Sequence, residues 1–384
     1  MDRRRFLQHS SAAAAAFLGA RIARAQTASG YRNLLVLVEL KGGNDGLNTV
    51  VPYADPTYYA LRPRIAVRRD DVLQLDDRTG LHPALAPLLP MWQARELAII
   101  QGVGYPEPNL SHFRSIEIWD TASRADEYLT DGWLARAFAA ARPPTGFAAD
   151  GVVVGSSELG PLAGGGARAV ALANTEQFLR QAKLAQPAQA RGNRALAHIL
   201  KVEGDIAQAA ASLNGNRQFR TEFPPGPFGN AVRTAAQVIA SEAGVAAVRL
   251  TLNGFDTHQN QPGAHANLLR QLAEGLVALR AALQELARWD STLILTYAEF
   301  GRRAQENGSN GTDHGTANAH FALGGRVKGG LHGEAPRFDR LDGGNLVHAV
   351  DFRSVYATAL EKWWGVPSAG ALAGRFPTLD LLRA

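Results

Sequence analysis

Three short runs of this 384-residue chain each deliver acids or imidazoles of the kind that bind divalent cations. Leu250-Thr251-Leu252-Asn253-Gly254-Phe255 leads into Asp256-Thr257-His258. The apolar run 291–297 leads into Glu299-Phe300-Gly301-Arg302, and a glycine- and asparagine-rich stretch leads into Thr312-Asp313-His314-Gly315. A further acid belongs with them, Asp45 in Lys41-Gly42-Gly43-Asn44-Asp45-Gly46, which follows Leu34-Leu35-Val36-Leu37-Val38. Zn²⁺ and Mn²⁺ accept mixed oxygen and nitrogen ligands, so such groups brought together define a metal-dependent hydrolase or a descendant of one.

Each residue also has a plainer reading. In an extended segment residues two apart share a side, so Asp256 and His258 can reach one ion; otherwise they form an Asx-turn beside a solvated histidine. Glu299 is a ligand or the ion-pair partner of Arg302. Glycine beside Asp313-His314 lets both side chains turn to one point. Ser111, in Asn109-Leu110-Ser111-His112-Phe113, opens a helical pattern and can serve as its N-cap. Alternatively it is a nucleophile at a helix N-terminus, where backbone N–H groups favour phosphate or sulfate, with a metal or base to activate it. In that case Arg302 or His112 stabilises the ester's oxygens. The Lys41–Gly46 loop has neither a phosphate-loop ending nor Gly-x-Gly-x-x-Gly spacing, which leaves Asp45 as a metal ligand. His265, His320 and His332 are additional ligand candidates, and His82, His198 and His348 read as structural.

These groups must be positioned by a framework that the rest of the pattern supplies. Strands are expected at 33–39, 97–102, 151–155, 168–172, 246–252, 291–297 and 319–324. Helices are expected at 84–93, 111–122, 130–140, 175–186, 192–212, 228–242, 263–288 and 351–364. In the 263–288 segment Leu268, Leu269, Leu272, Leu276, Leu279, Leu283 and Leu286 recur at three- and four-residue steps, the mark of an amphipathic helix packed on a sheet. Strands alternating with such helices predict an α/β three-layer sandwich with a mostly parallel central sheet. In open sheets of that kind functional groups gather beyond the carboxyl ends of the strands. Acids from both ends of the chain can meet only if 31–384 folds as one domain. The stretch 140–245, poor in such clusters, reads as a cap or insertion.

The N-terminus combines Arg3-Arg4-Arg5-Phe6-Leu7, a small-residue run and Ala23-Arg24-Ala25, an export signal over residues 1–25 with cleavage after Ala25. Its Arg-Arg-x-Phe-Leu core resembles the twin-arginine signal, which is read by the export machinery and is no anchor. The expected location is periplasmic or secreted, with no stable membrane anchor after cleavage. That segment carries a net +4 of the chain's +5, so the remainder lacks the basic domain expected of a nucleic-acid binder. The absence of cysteine excludes thiolate catalysis, zinc–thiolate sites and disulfides.

Taken in order, these residues resemble the alkaline-phosphatase-like superfamily of phosphatases, sulfatases and cofactor-independent phosphoglycerate mutases. The resemblance implies Asp45 as the first acid, Ser111 as nucleophile, Asp256 and His258 as a metal pair, Glu299 as a strand-end acid and His314 as the late histidine. Asp351-Phe352-Arg353 resembles the acid-capped terminal helix of sulfatases. More closely, Gly43-Asn44-Asp45-Gly46-Leu47-Asn48-Thr49, Phe255-Asp256-Thr257-His258, Glu299-Phe300-Gly301-Arg302 and Thr312-Asp313-His314-Gly315 are similar to a twin-arginine-exported bacterial family catalogued as domain of unknown function 1501. Two departures from the superfamily pattern, Asp-x-His for Asp-x-x-x-His and an Asp-His pair about a dozen residues late, imply one ion or an altered second site.

The expected function is hydrolysis of a phosphate or sulfate ester, small-molecule or polymer, by Ser111 with His112 and Arg302. Asp45, Asp256, His258, Glu299, Asp313 and His314 would hold one or two divalent ions, Zn²⁺ or Mn²⁺. Two alternatives remain open: a non-catalytic metal-bearing binding or surface-assembly protein, and a serine hydrolase lacking the Gly-x-Ser-x-Gly elbow.

Overall fold

The structure, a computed structural model, describes residues 30–172, 217–241 and 243–383. The export signal at 1–25 and the helices expected at 175–186 and 192–212 lie outside these residues. In chain order the strands are β1 (Leu34–Lys41), β2 (Val50–Val51), β3 (Leu73–Gln74), β4 (Gly80–Leu81), β5 (Leu97–Gly104) and β6 (Gly151–Val154). They continue with β7 (Ala169–Leu172), β8 (Ala247–Asn253), β9 (Thr292–Tyr297), β10 (Asn318–Leu323), β11 (Gly330–Gly333) and β12 (Val350–Asp351). The helices are α1 (Gly46–Thr49), α2 (Pro56–Leu61), α3 (Leu89–Gln93), α4 (His112–Thr121), α5 (Trp133–Ala140), α6 (Pro227–Ala240), α7 (Gln261–Glu285) and α8 (Phe352–Thr358).

Among the described residues nine strands form one sheet, in the order β11-β5-β10-β9-β1-β8-β6-β7 with β12 beside β5. All run parallel except β10, which is antiparallel to both β5 and β9. The alternation in β1 shows why the sheet is covered twice. Leu34, Val36, Val38 and Leu40 pack with Leu268, Leu272 and Leu276 of α7, whereas Leu35 and Leu37 face Trp119, Trp133 and Phe352. A strand buried on both faces reads as a continuous apolar run, and each fully buried leucine stabilises the fold by roughly 1.5–3 kcal/mol. The result is the expected three-layer α/β sandwich.

Several details depart from the periodic pattern. The 84–93 helix is split into a 3₁₀ segment, Pro83–Leu88, and α3, because Pro87 and Pro90 remove backbone donors. The last helix passes into a π turn at Ala359–Trp363. The antiparallel trio β2-β4-β3 is too short to show a period; its Val50 and Leu81 join the main core, while Val51 packs with Leu47, Tyr53 and Tyr58 in a third apolar cluster. In the 140–245 stretch, β6 and β7 extend the central sheet, and α6 packs beside α7 in its cover.

Candidate metal centre

The expected motifs arrive at one edge of the sheet. β1, β8 and β9 are parallel neighbours, and beyond their carboxyl ends lie Gly42, Asp256 and Glu299. Because β10 runs the other way, the loop before it carries His314 to the same edge. β5 leads there to Ser111 and His112 at the start of α4. Gly42 permits the closest approach: its φ is +116°, and a Cβ there would run into the Asp256 backbone nitrogen.

Three imidazoles and one carboxylate converge. His314 Nδ1 lies 2.8 Å from the Leu110 carbonyl, an acceptor only, so Nδ1 carries the hydrogen. Burial lowers the pKa of His314 and favours the neutral ring, whose Nε2 then holds a lone pair. That Nε2 is 2.9 Å from His258 Nε2 and 3.3 Å from Asp256 Oδ1. His258 repeats the arrangement, with Nε2 3.0 Å from Asp256 Oδ1 and Nδ1 3.4 Å from Asp313 Oδ1. His112 does so again, with Nδ1 2.9 Å from Glu299 Oε1 and Nε2 3.4 Å from Asp256 Oδ2.

Each Nδ1 is therefore held by an oxygen acceptor while each Nε2 faces Asp256, the orientation that metal-binding histidines adopt. Ligand atoms of His112, Asp256 and His314 all lie within 4.8 Å of one another. Glu299 Oε1 also accepts the Gly42 N–H at 2.8 Å, whereas its buried Oε2 has no partner. Lone pairs turned on one another beside an unpartnered buried carboxylate oxygen fit a divalent cation. Without one, a proton does part of the same work: the hydrogen bond that His112 donates to Glu299 raises the His112 pKa.

Arg302 and Asp45 are committed elsewhere. Arg302 is buried, and it donates to the carbonyls of Gly43 (2.6 Å), Thr312 (3.0 Å) and Phe255 (3.0 Å), to the Gly42 carbonyl, and to Asp256 Oδ1 (2.8 Å). Partial burial works against ionisation of Asp256, but this guanidinium overrides it and brings the pKa to about 2. Asp45 lies apart from the imidazoles. Its Oδ2 takes Arg62 at 2.6 Å and Gln261 at 2.5 Å, and its Oδ1 caps α1 through the N–H groups of Leu47 and Asn48. Ser111 occupies the N-cap position of α4, yet its side chain makes no capping bond and is exposed. Of the further histidines, His265 bonds Asn44, His332 bonds the Lys328 carbonyl, and His320 is buried beside Trp119 with neither ring nitrogen partnered. None of these three is in the cluster.

A second polar network was legible only as charges inside apolar strands. Glu39 of β1 and Arg249 of β8 form a buried pair at 2.7 Å, and Arg249 also donates to Tyr297 Oη at 2.8 Å. Asp120, 3.5 Å from the same hydroxyl, is pushed up to about 7 by burial against the pull of Arg249. The folded state thus holds the Asp120 proton more tightly than the unfolded chain does. Its contribution to stability is full below the ordinary aspartate range and is lost as pH rises through about 7. Asp120→Asn is expected to flatten the fall of the thermal midpoint between pH 5 and 8; an unchanged slope in melts across that range would place the titration elsewhere.

The fold and site define an α/β protein with an Asp/His cluster suited to one divalent ion. Residues 32–363 match the family described as "Protein of unknown function (DUF1501)", and the chain belongs to that family. No curated protein matches it in sequence. Among solved structures it is similar to the PsFucS1 sulfatase from Pseudoalteromonas sp., at 11% identity over 92% of this chain and 74% of that one, with a TM-score of 0.40. It is similar also to the zinc complex of the C-terminal periplasmic domain of EcEptC from Escherichia coli, at 11% identity over 76% and 72% with a TM-score of 0.34. TAB5 alkaline phosphatase with Mg bound is 12% identical over 76% of this chain and 91% of that one, with a TM-score of 0.35.

Proposed function

We propose that this protein is an exported metal-dependent hydrolase of phosphate or sulfate esters that uses Ser111 as nucleophile. The observation that carries the reading is the common orientation of His112, His258 and His314, each with Nδ1 held and Nε2 turned toward Asp256. Those four residues hold the ion, while Glu299, Asp313 and the Leu110 carbonyl fix the rings. A bound divalent ion supplies a Lewis acid that neutralises charge on the ester and lowers the pKa of a neighbouring hydroxyl. Ser111 precedes the ligand His112, and its hydroxyl is spared from capping. It therefore stands at the positive end of a ten-residue helix, where an anionic ester group is favoured. Arg302 positions Asp256, and its N–H groups are directed at protein acceptors, with Nη1 also 3.5 Å from His258 Nε2.

This reading keeps residues 31–384 as one catalytic domain and places it in the periplasm or outside the cell after removal of residues 1–25. No described helix is long and apolar enough to cross a membrane. One observation favours a second reading, a metal-bearing protein without catalysis: Asp45 is held by Arg62 and Gln261, which leaves one ion site instead of two. Ser111→Ala separates the two. With Zn²⁺ or Mn²⁺ supplied, the variant is expected to lose at least about 10²-fold in turnover of phosphate and sulfate monoesters while keeping its metal content. Equal turnover by variant and parent would remove Ser111 from the reaction, and no turnover by the parent would favour the binding protein.

A further inference from the structure

A cleft of about 800 Å³ is lined by α4 and the 158–163 loop, and its wall includes His112, Asp256 and Glu299 of the cluster. Its size is that of small-molecule pockets, roughly 300–1,000 Å³. We propose that this cleft binds an uncharged, hydroxyl-rich group, a glycosyl unit, and rejects polyanions. Where the protein acts as an ester hydrolase, that group is the part of the substrate that leaves; this clause alone rests on the functional reading above.

Charge decides against a polyanion. Among the described lining residues Lys41 is the only lysine or arginine, and its ammonium is held by Glu158 at 2.7 Å. A second phosphate would therefore meet no free lysine or arginine in the described wall of the cleft. A polyamine gains little, because Glu117 is already paired with Arg114 at 3.0 Å and Glu158 with Lys41. Paired carboxylates still accept hydroxyl hydrogens, since each carries about four lone-pair sites. Thr130 and Asn253 add hydroxyl and amide groups to the wall.

Shape points the same way. Phe113, the residue after His112, lines the cleft with 89% of its surface exposed, and Ile116 lies one helical turn further on. A flat aromatic face beside hydrogen-bond acceptors suits a ring with C–H groups on its faces and hydroxyls around its edge.

The test is calorimetric titration of the full chain with maltose, cellobiose and lactose, and with ATP and spermidine as polyanion and polycation. At least one disaccharide is expected to saturate with a dissociation constant of roughly millimolar order, tighter than ATP or spermidine. Phe113→Ala and Glu117→Gln, exposed or conservative changes outside the metal cluster, are expected to weaken it about tenfold each. Tighter binding of ATP or spermidine, or no saturation by any disaccharide, would overturn the proposal. Turnover of hexose 6-phosphate and hexose 6-sulfate is then measured with metal. Disaccharide binding without turnover of these or of the other phosphate and sulfate monoesters upholds the cleft and favours the binding protein; turnover without disaccharide binding upholds the hydrolase and overturns the cleft.

Discussion

Asp256→Ala is expected to empty the folded protein of divalent metal. The parent, loaded with Zn²⁺ or Mn²⁺ and dialysed, is expected to retain one equivalent by elemental analysis, and the variant close to none. The reason is geometric: Oδ1 of Asp256 faces the Nε2 atoms of His258 and His314, and Oδ2 faces that of His112. Its removal takes away the anion common to all three rings. His314→Ala should act in the same direction. Glu299→Gln leaves every ligand in place but disturbs the hydrogen bond to His112 Nδ1, so a milder loss of about 10–100-fold in affinity is expected. Because imidazole binds either a proton or the ion, affinity should fall as pH is lowered. A parent protein that holds neither metal above background would end the metal reading, with or without its variants.

How much of this the residues announce beforehand depends on how local each signal is. The seven strands expected from sequence and the α7 helix are legible because continuous apolar runs and the three- and four-residue leucine steps are properties of neighbours in sequence. Asp256 and His258 are legible too, as a two-residue spacing at the end of β8. The partner of Asp45 is not. Arg62 lies seventeen residues on, in an irregular stretch after α2 with no period to mark it, and it is held by Asn48 and by the carbonyls of Arg303 and Ala304, about 240 residues away in sequence. His112 reads from sequence as a group near a phosphate; its ring is fixed by Glu299, 187 residues away, across the start of α4. The free hydroxyl of Ser111 is likewise invisible, because capping potential belongs to the residue type while its use depends on the local backbone. Glu39 and Arg249 did leave a signal. A charge in the middle of Leu34–Lys41 or Ala247–Asn253 cannot be buried alone, so each demands a partner across the sheet.

Arg302→Met is expected to lower stability and metal affinity together. The guanidinium ties four segments together: Gly42 and Gly43 after β1, Phe255 and Asp256 after β8, Thr312 before β10, and its own loop after β9. Methionine fills much of the volume but leaves those carbonyls without a donor and a partly buried carboxylate without its charge partner. A buried carbonyl left without a donor costs about 1–3 kcal/mol, so losing several at once costs several kcal/mol, a fall of roughly 5 °C in thermal midpoint for a chain of this length. Arg302→Lys should recover little of it, because one ammonium cannot reproduce a planar fork that reaches five acceptors. Metal affinity should fall alongside, since Asp256 is no longer held in register with the imidazoles. Asp45→Asn supplies the contrast. It breaks the fully buried pair with Arg62 and should destabilise the fold comparably, yet leave the metal equivalent unchanged. Metal lost from Asp45→Asn, measured at a temperature where that variant is folded, would return Asp45 to the ligand set and require a second ion site.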